Sequence, residues 1–314
     1  MAKTKKYRVG SSRPVGPVIA PAIISRVPVF QPRFKNLQNT TTTITAETAW
    51  GSVRIVGKLG GIHRKVLDAL FATALDTFRH STDIPQQSGA LSLLVDPYQV
   101  AKVAGVATRH PQWLYGILED MRVARVELHD KTTGGRHWAG IVSEVNTQSS
   151  TRVPLPGGCK HGDRPLWRVT ISSAWMRIYD TSLVLRYRNA LPVLGQITSG
   201  ATHALALHIL THTGGSYDVP TGLKTVGVPW NRLTQRRQHQ LMQEIIREKD
   251  HLFHLGMELY RHHDTNHLMI SYHPTGDVHA QNPVETTAPG QSEAICAGKE
   301  AICAGKEAIC AGSQ

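Results

Sequence analysis

The chain has 314 residues, an apolar content of 40% and an aromatic content of 6%, enough for about two domains with modest cores. Its formal net charge of +12 and pI near 9.7 favour a polyanionic partner, nucleic acid before membrane, because no long apolar span exists. The four cysteines form no C-x-x-C pair, so neither a zinc finger nor a disulfide framework is indicated, and a reducing cytoplasm is the simplest compartment.

Residues 1 to 49 hold eight Lys or Arg and one acid, Glu47. With Pro14, Pro17, Pro21 and Pro28 and the threonine run Thr40 to Thr43, they predict a disordered basic arm. Such an arm suits phosphate tracking without sequence information, or solubility alone. The apolar run Val18 to Ile24 briefly resembles a signal peptide, but the prolines and Arg26 interrupt any continuous h-region.

Order is expected from about Val53, with a first unit over residues 50–147. Ile62, Val66, Leu67, Leu70, Phe71, Ala74, Leu75 and Phe78 make a helical stripe. Ala90 to Val95 reads as a short strand. Asp96 and Pro97 supply an N-cap and an N1 proline for a short helix that Gly105 stops. A third helix from about His110 carries Leu114, Ile117, Leu118 and Met121 on one side. A strand (Val123 to Leu128), a Gly/Thr turn (Lys131 to Gly135) and a return strand (His137 to Val145) follow. Helix, strand, helix, helix and hairpin is the order of a winged helix-turn-helix.

Residues 148–165 are rich in Ser, Thr, Pro and Gly and read as a linker. Cys159 and His161 within it are too few for a metal site. The second unit, residues 166–275, repeats the first. It has a strand (Leu166 to Ser172), a short helix (Ala174 to Tyr179), an extended piece (Ser182 to Tyr187) and a helix (Thr198 to Thr211). A short helix over Asp218 to Val226 then leads through Gly227 and Pro229 into the stretch Trp230 to Arg247.

That stretch carries the main functional signal. At about 100° per residue, Leu241, Met242, Ile245 and Ile246 gather on one side, and Arg236, Gln240, Gln243 and Arg247 on the other. Arg forks onto guanine O6/N7 and Gln pairs with adenine N6/N7, so the polar side suits base reading. A merely solvated face has the same composition. The candidate base contacts are Arg232, Arg236, Gln240 and Gln243. The candidate phosphate contacts are Arg237, His239, Arg247, Lys224, Arg261 and Arg109. A strand, turn and strand over Met257 to Tyr272 then predict a second wing. Residues 276–314 read as a flexible tail. Glu-Ala-Ile-Cys-Ala-Gly-Lys begins at Glu293 and again at Glu300, and a third copy from Glu307 runs to Gly312. A glycine in each copy weakens a heptad coil, and such identity suggests duplication of the DNA in units of seven codons, either as repeats that this protein binds or as a chance slippage expansion in an unconstrained tail.

The fold class expected is therefore α+β, with two tandem winged helix-turn-helix domains between a disordered basic arm and a flexible repeat-bearing tail. Two such units, with the more basic reading helix in the second, resemble the iteron-binding replication initiators of bacterial plasmids. The resemblance covers about Val53 to His273. It rests on the element order and on three stretches: Asp96 to Val106, Trp113 to Leu128 and Asn231 to Ile246. It implies a protein that binds double-stranded DNA at tandem origin repeats, helps open an adjacent segment, and recruits a host initiator and replicative helicase. It also implies a homodimeric form that represses its own gene, and a division in which the C-terminal unit reads sequence while the N-terminal one dimerises and touches phosphate. The arm and the repeats lie outside the family pattern.

A transcriptional repressor built on the same two modules is the alternative. A rolling-circle nicking enzyme needs paired histidines and a tyrosine nucleophile; none of the 17 histidines stands in an H-x-H pair, and no two tyrosines are four apart. The nucleotide-binding pattern G-x-x-x-x-G-K-[ST] is absent as well. The expectation is a non-enzymatic, cytoplasmic bacterial protein with no cofactor, no metal and no membrane contact.

Overall fold

Val53 and Ile55 are buried while Arg54 and Val56 face outward, the alternation of a strand with one wet face. That strand sits in a mixed α+β body. The computed structural model describes residues 19–33, 43–80, 89–106, 111–131, 134–147, 152–153, 164–274 and 279–281, all within one unit, Met1–Asn282.

The first half begins with β1 (Ile19–Pro21) and α1 (Ile23–Arg26), then the hairpin β2 (Thr43–Glu47) and β3 (Gly51–Val56). Next come α2 (Gly61–Thr73), β4 (Asp76–Arg79), β5 (Leu91–Val95), α3 (Pro97–Val103) and α4 (Gln112–Val123). Asp96 caps α3 by accepting from the Tyr98 amide. Gly105, at φ +70°, turns the chain toward α4, a left-handed conformation that favours glycine. The strands β6 (Arg125–Asp130), β7 (Arg136–Ala139), β8 (Val142–Asn146), β9 (Arg152–Val153), β10 (Arg164–Pro165) and β11 (Trp167–Ile171) follow.

The second half opens with α5 (Ser173–Thr181), β12 (Val184–Arg186), α6 (Leu191–Gln196) and α7 (Gly200–Ile209). Then come β13 (Gly215–Asp218), α8 (Val219–Thr225), α9 (Gln235–Arg247), α10 (Lys249–His254), β14 (Met257–Arg261), β15 (Leu268–Tyr272) and β16 (His279–Gln281). The sheets are antiparallel, in the orders β2-β3-β6-β7, β4-β5-β11-β8, β13-β15-β14 and β1-β12-β16, with β9 and β10 as a separate pair.

Three expectations change. The arm assigned to residues 1–49 is folded where it is described: Ala20, Ile23, Ile24, Val27, Val29 and Phe30 are core residues, and β1 pairs with β12. Burial of those apolar side chains outweighs the local prolines and charge. The part of the arm before Ile19 lies outside the described residues. The return strand expected over 137–145 breaks at Gly140 into β7, which stays with β6, and β8, which joins β11. The first hairpin is thus divided between two sheets. Finally, Trp167–Ile171, assigned to the second unit, pairs with β5 and β8 of the first. Most of the proposed linker, and of the tail, lies outside the described residues.

The halves share one apolar core. Polar ties cross it too. From α2, the Lys65 Nζ donates to the carbonyls of Gly195 (2.9 Å) and Ile197 (2.7 Å). The neighbouring Arg64 bonds Asp68 through Nε and donates from Nη2 to the Tyr187 hydroxyl at 3.0 Å. Burial works against the Arg64 charge, but Asp68 and Tyr187 outweigh it and hold its pKa above the ordinary value.

Candidate nucleic-acid interface

Thr234 starts α9: its Oγ1 accepts from the Arg237 amide at 3.3 Å, a standard N-cap for a helix with no acid in its first turn. Leu241 and Ile245 are buried toward α7, with Met242 and Ile246 packed at the margin of the core. The opposite side carries Arg236, Gln240 and Arg247, all exposed, and Gln243, half-buried. The spacing read from the sequence thus corresponds to one outward face of α9. Both the Arg236 and Arg247 side chains are exposed on that face.

Arg237 is placed differently. Its Nη1 donates to Glu244 Oε1 (3.0 Å) and Gln240 Oε1 (3.3 Å) along the same helix, and the side chain stays exposed. With Arg33, Ser199, Glu244 and Arg247 it lines a cleft at the start of α7. Arg232 is exposed but precedes α9, in a 3-10 turn over Trp230–Arg232. The helix therefore starts later than the stretch from Asn231 suggested. Gln238 holds that turn by donating from Nε2 to the Trp230 carbonyl at 2.9 Å. His239 is exposed on α9 and Lys224 is exposed on α8. Arg109 lies outside the described residues.

The hairpin β14–β15 follows α10, and β13 pairs with β15 on its other edge. Arg261 is exposed and donates from Nη1 to the Asn266 carbonyl at 3.0 Å, bracing the tip. Asp218 caps α8 through the Thr221 amide and also meets His267 of the hairpin at 3.4 Å. One carboxylate thus connects α8 to the hairpin β14–β15.

Two supports of this site were not legible in the sequence. Glu248, between α9 and α10, is buried and accepts from the Thr198 amide (2.8 Å), the Thr198 hydroxyl (2.6 Å) and the Ser199 amide (3.3 Å). Its other oxygen meets His251 Nδ1 at 2.6 Å. Burial opposes this charge, but the bonds from Thr198, His251 and Ser199 outweigh it and hold the carboxyl below its usual range. The second support is Pro28, from the segment read as an arm. Gly227, between α8 and α9, has φ +89°, and a Cβ there would stand 2.8 Å from the Pro28 Cβ. The only advance signals were the glycine after α8 and the apolar residues around Pro28.

Among the described residues no group of three or more His, Cys, Asp or Glu is arranged to hold a metal ion, and no helix is long and apolar enough to cross a membrane.

No family model and no curated protein matches the chain. A crystal structure of domains 2 and 3 of RctB is similar in fold, with a TM-score of 0.50 and 10% identity, over 85% of this chain and 99% of that one. At that identity the likeness concerns the fold alone.

Proposed function

We propose that the chain is a sequence-specific, double-stranded-DNA-binding replication initiator of a bacterial plasmid. The observation that carries this reading is the outward face of α9, on which Arg236, Gln240, Gln243 and Arg247 fall together. We read α7, β13, α8, α9 and that hairpin as a winged helix, with α8 and α9 as its helix-turn-helix and α9 lying in the major groove. We read α2 to β7 as a second, modified winged helix that dimerises and touches phosphate. The likeness to RctB domains 2 and 3 supports the reading at the level of fold.

On this reading Arg236, Gln240 and Gln243 contact base edges with Arg232 at the entrance, and Arg237, His239, Arg247, Lys224, Arg261 and Arg109 meet phosphates. Copies of the protein occupy tandem repeats at the origin. Binding energy and recruited host proteins, an initiator and the replicative helicase, then open the adjacent strands. The chain itself catalyses no bond cleavage and works in the cytoplasm.

The test is replication in cells of a plasmid that carries only this gene and its flanking DNA. An initiator sustains that plasmid, and Arg236→Ala abolishes maintenance. A protein that represses transcription from the same DNA but never sustains the plasmid contradicts the reading.

A further inference from the structure

We propose that the gene's own coding DNA for Glu293 to Gly312 is a binding site of this protein: a direct repeat that α9 reads. The inference rests on the initiator reading and names its DNA.

Residues 293–299 and 300–306 are identical heptapeptides, and residues 307–312 match their first six positions. The described fold closes with β16 at Gln281, before the first copy. The repeated peptide adds little that a DNA-binding protein needs. Each full copy carries one Glu and one Lys, so it contributes no net charge. It also holds one of the tail's three cysteines, in a chain with four altogether, and a glycine that disfavours a heptad coil. Repetition without an evident use for the peptide points to the nucleic acid as the repeated object.

The unit length has the same implication. Seven codons make a repeat of about 21 base pairs, or two turns of B-DNA at ~10.5 base pairs per turn. Successive copies therefore present the same groove edge on the same side of the duplex. A unit of six or eight codons would rotate each site by about 100° from the last. A protein whose main reading element is one exposed helix face can then occupy adjacent copies in a single line. One outcome can be read from the gene at once: the three copies should agree at synonymous codon positions. Divergent codons for the same peptide overturn the proposal.

The experiment is DNase footprinting of the purified full-length protein on three DNAs: the native coding segment for Glu293 to Gly312, a synonymously recoded segment for the same peptide, and the region upstream of the gene. The expected result is protection recurring every ~21 base pairs on the native segment, with binding to the recoded one at least tenfold weaker. Equal binding to native and recoded DNA overturns the proposal. A specific footprint upstream with none on the native repeats also overturns it, but leaves the initiator reading standing. Absence of any specific footprint sinks both.

Discussion

Glu248 reaches Thr198 through two hydrogen bonds, 2.8 Å from the amide and 2.6 Å from the hydroxyl, and so fixes the end of α9 against the start of α7. The carboxylate lies where α7 leaves amides without partners inside the helix. It therefore sets the angle at which α9 leaves the core. Glu248→Gln should lower stability by about 1–3 kcal/mol at neutral pH, since hydrogen bonds to a buried charged group are lost or weakened. Because the folded carboxyl lies below its ordinary value of 4.5, its stabilisation is present above that pH and is lost as the pH falls through the folded pKa. Urea titrations of both proteins from pH 7 to pH 3 should show the gap narrowing in acid. A gap that stays constant would mean the charge contributes nothing.

Lys65 gives a pH dependence of the same sign in a higher range. Burial pushes its amine down from 10.5 to about 8, with Glu248 offsetting part of the shift. From about pH 8 upward the unfolded chain binds more protons at this site than the folded one, so stability should rise with pH, by up to about 3 kcal/mol before the ordinary lysine range is reached. Lys65→Met should remove that rise while losing the bonds to the Gly195 and Ile197 carbonyls. Urea midpoints between pH 8 and 10 provide the check, and a flat wild-type profile would contradict the burial argument.

The folded segment before Arg33 leads to a truncation test. Deleting residues 1–17 leaves every described contact in place and serves as the control. Deleting residues 1–33 removes the buried Ile23, Ile24, Val27, Val29 and Phe30, and with them Arg26, which bonds the Thr211 carbonyl at 2.8 Å and covers the Trp50 ring. Fully burying one large apolar side chain is worth about 1.5–3 kcal/mol, so the longer deletion should abolish cooperative unfolding. Circular dichroism melts of both proteins decide it; a folded 34–314 chain would show that the segment is dispensable.

Arg236 and Arg247 share a face but should fail differently. Arg236→Ala should weaken the specific site by about 1–3 kcal/mol and relax base preference at one position. Arg247→Ala should weaken specific and random DNA alike and reduce the slope of log K against log salt by about one. Binding isotherms at several salt concentrations separate the two roles. Unchanged specific affinity in Arg236→Ala would remove α9 from the groove.

The elements whose side chains set their own period were legible in the sequence. Leu241 and Ile245 against Arg236 and Gln240 gave the two sides of α9, and Asp96, Pro97 and Gly105 gave the limits of α3. What could not be read was pairing at long range. No local pattern shows that Trp167 lies opposite Val95, or that the segment around Ile23 returns to β12. In residues 19–33, proline and charge obscured apolar positions that only a distant partner makes into a core. Glu248 fits any solvated helix, and its role depends on a threonine 50 residues earlier. The face of α9 was therefore accessible from spacing alone, while the supports that hold it were not.

The most direct measurement is an electrophoretic shift with purified full-length protein on the DNA containing and flanking its own gene, at physiological salt with excess random competitor, beside Arg236→Ala. Discrete complexes should appear stepwise with wild-type protein and be lost or strongly weakened with the variant. A diffuse, salt-labile smear that is the same for both proteins would contradict the proposed function, leaving only the chain's net positive charge to explain binding.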